Sequence, residues 1–141
     1  MPEGWAMKLL GYPQLGAERF VCVRDEGELE GAGGQILCFE RSNEALLLRC
    51  VKAGLQTALW VRDTCDVLWG MNYAVSYLLA PLGESERNLA EWQRIVQDYL
   101  SDCLLVREIE GKDAELLDSA RLRLDAVVLT SAICGARVSL Q

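Results

Sequence analysis

The sequence predicts a single α/β domain, residues 1–141, in three layers: a mainly parallel sheet of five or six strands with helices on both faces. Strand-like and helix-like segments alternate without a long linker from residue 35 to residue 130. The strand-like runs do not alternate apolar with polar residues, which is typical of parallel strands buried on both faces. In residues 57–81, two apolar runs flank a helical segment, as in a β-α-β unit with a right-handed crossover.

The elements within residues 35–130 can be assigned in order. Ser42 or Asn43 can cap the first helix, and Gly54 can end it. The helix over residues 85–100 is the most clearly amphipathic, with Leu89, Trp92, Val96 and Tyr99 on one face. The predicted strands are 35–40, 57–61, 77–80, 103–106 and 126–129, and the predicted helices are 43–53, 63–75, 85–100 and one that begins at 112 or 113.

The ends of the chain are less regular. Residues 5–12 fit a short strand or an arm, and residues 19–24 fit a strand. Residues 25–34, DEGELEGAGG, indicate an exposed acidic loop that is too short for a helical crossover. We therefore expect the strands on either side of this loop to be antiparallel or not to be neighbours. Residues 131–141 fit a short helix or a final strand.

The charge and hydropathy of the chain exclude several partners. The 141 residues carry a formal net charge of -7, and an acidic surface repels nucleic acid and anionic membranes. No apolar stretch approaches the length of about 18 residues that a membrane span needs. The N-terminus contains Glu3 and lacks the long apolar segment of a signal peptide.

The composition also removes most catalytic and cofactor chemistry. The chain has no histidine, which excludes histidine bases and ligands. The six cysteines have irregular spacings and form no CxxC pair, as expected for reduced thiols in the cytoplasm. We predict no metal site and no cofactor.

Charged residues follow the predicted strands, where ligands bind in parallel α/β sheets. Arg41, Arg62 and Arg107 are candidates for holding a phosphate or carboxylate, and Asp63 or Glu108 could then act as acid or base. Thr130 and Ser131 follow the last of these strands. This pattern predicts a small enzyme or binding protein for an anionic metabolite. The alternative is that these residues form solvated ion pairs and helix caps.

Large apolar side chains on outer helix faces give the preferred hypothesis. On a helical wheel, Trp69 and Tyr73 fall near Asp66, on the face that should be solvated, and Leu48 falls among charged residues. Such residues often mark a protein interface, although residues 1–34 could instead cover them. We expect a non-catalytic cytoplasmic module that forms a homodimer or binds a protein partner.

Two segments resemble the β-α repeats of TIM-barrel enzymes. They are NYAVSYLLAP, residues 72–81, and RLRLDAVVLTSAI, residues 121–133, and the likeness covers residues 35–133. The chain has about half the length of a closed eight-stranded barrel. The resemblance therefore implies a half-barrel or a flavodoxin-like open sheet. It implies no catalytic residue, because the lysine of aldolase-type barrels has no counterpart here.

Overall fold

A computed structural model describes residues 6–15 and 18–135 of the chain. Eight strands form one all-parallel sheet in the order β1-β7-β6-β5-β4-β3-β2-β8. The strands are β1 (Lys8–Leu10), β2 (Phe20–Cys22), β3 (Ile36–Phe39), β4 (Thr57–Trp60), β5 (Tyr77–Ala80), β6 (Leu104–Ile109), β7 (Ala126–Leu129) and β8 (Ile133–Cys134). The helices are α1 (Glu26–Leu29), α2 (Glu44–Lys52), α3 (Thr64–Asn72), α4 (Glu86–Asp98) and α5 (Asp113–Arg121).

The predicted α/β class is confirmed, and the sheet has eight strands rather than five or six. The additional strands come from the irregular ends of the chain. β1 and β2 contain three residues each and β8 contains two, which is too short for a clear hydrophobic pattern. β1 and β2 lie within residues 5–12 and 19–24, for which the sequence allows a strand. In the sheet, β1 pairs with β7, β2 with β3, and β8 with β2.

Short polar side chains cap α1, α3 and α4, whereas Asn43, one of the two residues predicted to cap α2, makes no cap hydrogen bond with its side chain. The Asp63 carboxylate accepts a hydrogen bond from the Asp66 backbone N–H at 3.0 Å and caps α3. Ser85 caps α4 in the same way through the Asn88 N–H. α4 ends at Asp98, so Tyr99, predicted to lie on its apolar face, is 67% exposed beyond the end of the helix.

The expectation for the strands around the acidic loop is wrong. β2 and β3 are parallel neighbours, with Phe20 opposite Ile36 and Cys22 opposite Cys38. Between the two strands lie residues 23–35, which is enough chain for a crossover of about a dozen residues. One helical turn, α1, forms within it, because the Asp25 carboxylate accepts from the Glu28 N–H at 3.1 Å.

All the helices pack on one side of the sheet. The buried apolar side chains of α2, α3 and α4 belong to a cluster, the outer core, that they share with alternate strand residues such as Leu59 and Leu78. The other cluster, the inner core, contains no residue from these helices and consists mainly of strand residues such as Cys38, Trp60 and Val106. Of the two predicted arrangements, the packing therefore fits the half-barrel rather than a flavodoxin-like sheet with helices on both faces.

The sheet curls around the inner core until its edges meet. Phe20 of β2 and Tyr77 of β5 contact edge to face with ring centroids 5.6 Å apart, although β3 and β4 lie between their strands. Gly11, directly after β1, lies so close to the segment before β8 that an added Cβ would be 2.4 Å from the Cβ of Ala132. None of the helices in the described part of the chain has the length and apolar character that a membrane span requires.

Candidate functional site

Strand alternation places two charged side chains at the carboxyl ends of β3 and β4. Cys38 and Trp60 face the inner core, so Glu40 and Arg62, each two residues further along, point to the same side. The Arg62 guanidinium forms an ion pair with Glu40 Oε1. Glu40 is only 9% exposed, and its second oxygen, Oε2, is buried without a hydrogen-bond partner.

Asp66 connects the second arginine to this pair. Its Oδ2 accepts from the Arg62 backbone N–H at 2.9 Å, and its Oδ1 accepts from Arg41 Nη1 at 3.4 Å. These two contacts explain why Asp66, expected on a solvated face, is only 5% exposed. Asp63 caps α3 with its carboxylate, so this side chain stabilises the start of the helix.

A cavity of about 200 Å³ lies among these side chains, and we call it the mouth cavity. It opens at the carboxyl ends of β3 and β4, the position at which parallel α/β sheets bind ligands. Its lining residues are Glu40, Arg41, Ser42, Trp60, Arg62, Asp63 and Asp66. In the described residues, no group of three or more histidine, cysteine, aspartate or glutamate side chains could hold a metal ion.

The structure brings Arg41 and Arg62 together and places Arg107 elsewhere. Arg107 lies on β6 with its side chain against α5, where Nη1 donates to Ser119 Oγ at 2.9 Å. Its neighbour Glu108 points to the inner side and is 1% exposed, and its Oε1 accepts from the Leu82 N–H at 3.1 Å. Thr130 Oγ1 donates to the Ile109 carbonyl at 3.2 Å. Ser131 is exposed beside it.

The predicted interface residues lie on the outer surface of neighbouring helices. Trp69 and Tyr73 are half-buried, and their ring centroids are 4.3 Å apart. The guanidinium carbon of Arg41 lies 5.8 Å from the centre of the Trp69 ring, within the range of a cation–π interaction. We call these three residues the Trp69 cluster. Leu48 is half-buried on α2, the preceding helix.

A second cavity, which no sequence pattern predicts, lies at the amino ends of β5 and β6. This amino-end cleft has a volume of about 680 Å³ and includes Tyr77, Tyr99 and Cys103 in its lining. Burial raises the pKa of the Tyr77 hydroxyl, with a further contribution from Glu18. Burial also raises the pKa of the Cys103 thiol, which donates to the Val75 carbonyl at 2.9 Å. A thiol held in its protonated form is a poor nucleophile.

No protein-family model matches this chain, and no curated protein sequence matches it. Among solved structures, the chain is similar to the crystal structure of a NadC deletion mutant in a cubic space group, with a TM-score of 0.50 and 8% sequence identity. The similarity covers 84% of this chain and 50% of that chain, so this chain spans half the length of the structure it matches. At this identity the similarity shows the fold alone.

Proposed function

We propose that this protein is a cytoplasmic α/β module that acts without catalysis, by self-association or by binding a protein partner. The observation that carries the proposal is the Trp69 cluster on the outer surface of the helices. Arginine, tryptophan and tyrosine are the residue types that most often dominate the binding energy of interfaces. In this cluster they are already in contact with one another.

The cluster is pre-organised for binding. Asp66 accepts a hydrogen bond from Arg41 and thereby holds its guanidinium near the face of Trp69. Trp69 also packs against the outer core, which restricts its rotamers in the free protein. Side chains that are ordered before binding lose less entropy on association, so this surface is suited to act as an anchor.

A homodimer is the simplest form of this proposal. Twofold symmetry brings the same patch of both subunits together, and it is the commonest arrangement of soluble oligomers. Leu48 on α2 would extend the apolar area beside α3. The six cysteines have irregular spacings and form no CxxC pair, which is typical of reduced thiols and supports a reducing compartment such as the cytoplasm.

The alternative, a site for an anionic metabolite, has less support from the side-chain contacts. Arg41 contacts Asp66, and Arg62 contacts Glu40. Arg107 donates to Ser119 and lies apart from both. A phosphate or carboxylate would have to share either of the first two arginines with a carboxylate that already contacts it, and Asp63 is occupied as a helix cap.

The test is the molar mass in solution, measured by light scattering after size exclusion over protein concentrations of about 1 to 100 μM. We expect the wild type to change from monomer to dimer within this range. Trp69→Ala should weaken the dimer by about 30-fold in Kd, which corresponds to the ~2 kcal/mol of a typical anchor residue. Tyr99→Ala is the matched control, because it removes an exposed aromatic side chain at the other end of the sheet.

Two results would contradict self-association through this surface. One is a wild-type protein that stays monomeric over the whole concentration range. The other is a dimer that Tyr99→Ala weakens as much as Trp69→Ala does. Urea unfolding of both variants separates a lost interface from a lost fold, because Trp69 also packs against the outer core.

A further inference from the structure

The C-terminal end of α4 carries residues that do not favour the fold. Leu100 has a φ of +49°, in the left-handed region that suits glycine, and its side chain is 90% exposed. The adjacent Tyr99 is also exposed. Asp98, the last residue of the helix, adds a negative charge where the helix dipole is already negative, and no basic residue lies in this last turn.

Helix α2 ends with the same backbone motif but with residues that suit it. In both helices the N–H of the left-handed residue donates three residues back and the next N–H donates five residues back, which is a Schellman motif. In α2 the left-handed residue is Gly54 and the last helical residue is Lys52. Leu100 and Asp98 hold the corresponding positions in α4. Residues that break local folding rules without compensation are expected at functional sites.

These residues lie beside the amino-end cleft. The cleft has a volume of about 680 Å³, within the range of ~300–1,000 Å³ that is usual for ligand pockets. Asp102 is the one charged residue among its described lining residues, and Tyr99 is part of the same lining. Leu100 is outside the lining, so the exposed apolar surface continues beyond the cleft.

We propose that the amino-end cleft and the adjoining Leu100 dock a basic segment of a protein partner, in which an apolar side chain is flanked by lysine or arginine. Asp98 and Asp102 are both exposed, and neither forms an ion pair within the described part of the chain. A basic partner would complement these two charges, which favours its approach and its specific orientation. This surface is separate from the Trp69 cluster and adds a second interaction to the proposed function.

The charge and the extent of the surface select this occupant over others. A second copy in a twofold dimer would bring the same carboxylates together, and these would repel each other. Anionic lipid headgroups would be repelled in the same way. A small organic cation could neutralise Asp102 inside the cleft, but it would leave Leu100 uncovered.

Amide NMR spectra of the isotope-labelled protein, titrated with acetyl-Arg-Leu-Arg-amide at about 20 mM salt, test the site, because higher salt screens exposed charges. We expect shifts of the amides of residues 71–77 and 98–104 and a Kd on the order of 1 mM, reasonable for a tripeptide. Acetyl-Glu-Leu-Glu-amide should not bind. Acetyl-Arg-Gly-Arg-amide should bind about 5-fold more weakly, since it buries no apolar side chain.

Three variants of the protein complete the experiment. Leu100→Gly should raise the urea midpoint, because glycine adopts a positive φ without strain, and should weaken peptide binding about 5-fold. Asp102→Asn should weaken binding about 3-fold, as the loss of an exposed ion pair does. Glu91→Gln makes the same change of net charge on an exposed position of α4 outside the cleft, and should bind like the wild type.

Four results would overturn the proposal. They are a wild type whose amides at 71–77 and 98–104 do not respond to the arginine peptide, equal binding of the glutamate peptide, unchanged affinity in Leu100→Gly, and a loss in Glu91→Gln as large as in Asp102→Asn. A more stable Leu100→Gly protein that binds less well would support it, because a residue that serves only the fold gives no such result.

The two interaction surfaces can succeed or fail independently. Trp69→Ala should bind the arginine peptide like the wild type, because Trp69 is not part of the cleft. Tyr99→Ala should weaken peptide binding while leaving the molar mass in solution unchanged. A protein that stays monomeric but binds the peptide would therefore contradict only self-association, and a dimer that does not bind the peptide would contradict only the docking site.

Discussion

Glu115 illustrates how one carboxylate can organise the start of a helix. Its side chain accepts hydrogen bonds from the backbone N–H groups of Glu110, Gly111 and Lys112, at 3.1, 3.0 and 2.8 Å. Partial burial opposes ionisation, but these three donors and the nearby Lys112 charge outweigh it and lower the pKa of Glu115. The ionised form of Glu115 therefore stabilises the turn before α5.

This lowered pKa predicts a pH-dependent stability difference. A carboxylate whose pKa is lower in the folded state stabilises the protein above its unfolded pKa of about 4.3, and this contribution is lost as the pH falls through the folded value. Glu115→Ala should cost about 1 kcal/mol at pH 7, as the loss of a helix cap does, and less at about pH 3. Urea unfolding at both pH values measures the difference.

Glu110→Ala is the control and should have little effect, because it removes a mostly exposed side chain. An equal cost of Glu115→Ala at both pH values would contradict the lowered pKa of Glu115.

The residues of the candidate site can be predicted from the sequence, but their contacts cannot. Arg41, Arg62 and Asp63 are identifiable because they follow apolar strands. Their partners depend on which side of the sheet each residue faces, and adjacent residues point to opposite sides. Arg62 therefore meets Glu40 on the inner side, whereas Arg107 turns outward to Ser119. The unsatisfied oxygen of Glu40 could not be predicted without these contacts.

At the level of elements, the sequence predicts the regular part of the chain closely. The strands of residues 77–80 and 126–129 were assigned with the bounds that the structure has. Long apolar runs and capped amphipathic helices carry enough local information for this. The pairing of β2 with β3 was missed, because a crossover with a single helical turn has no periodicity to recognise.

Gly70 determines how closely α3 packs on the sheet. A Cβ at this position would lie 2.5 Å from Leu78 Cδ2 and 3.2 Å from Leu59 Cδ2, and both leucines are fully buried. Alanine favours a helix by about 1 kcal/mol over glycine, whereas overpacking a core typically costs about 1–3 kcal/mol. We therefore expect Gly70→Ala to be destabilising, as measured by its urea midpoint.

A double-mutant cycle supplies the control for Gly70. In a Leu78→Ala background the nearest obstructing methyl group is absent, so adding Gly70→Ala should be neutral or stabilising. The same cost of Gly70→Ala in both backgrounds would show that its effect does not come from the contact between α3 and β5.

At the scale of the whole molecule, the closure of the sheet is the feature that is hardest to predict from the sequence. The two edges are β1 and β8, and they are brought together by Gly11 and Ala132, which are far apart in the chain. Neither edge strand is longer than three residues. Curling leaves little of either edge open for pairing with another chain, so an interface on the helices is a better route to association than edge-to-edge pairing.

Gly11 allows the closure to be tested directly. Gly11 and Gly54 have φ values of +76° and +78°, so an alanine at either site introduces about the same backbone strain of ~1 kcal/mol. An alanine at Gly54 meets no atom within 4 Å, whereas at Gly11 it would clash with the Cβ of Ala132, which cannot move without its backbone. Gly11→Ala should therefore lower the free energy of unfolding by about 1–3 kcal/mol more than Gly54→Ala does.

Ala132→Gly should recover part of that difference in the double variant. Equal destabilisation at the two glycines, without recovery, would mean that the edges of the sheet are apart in solution.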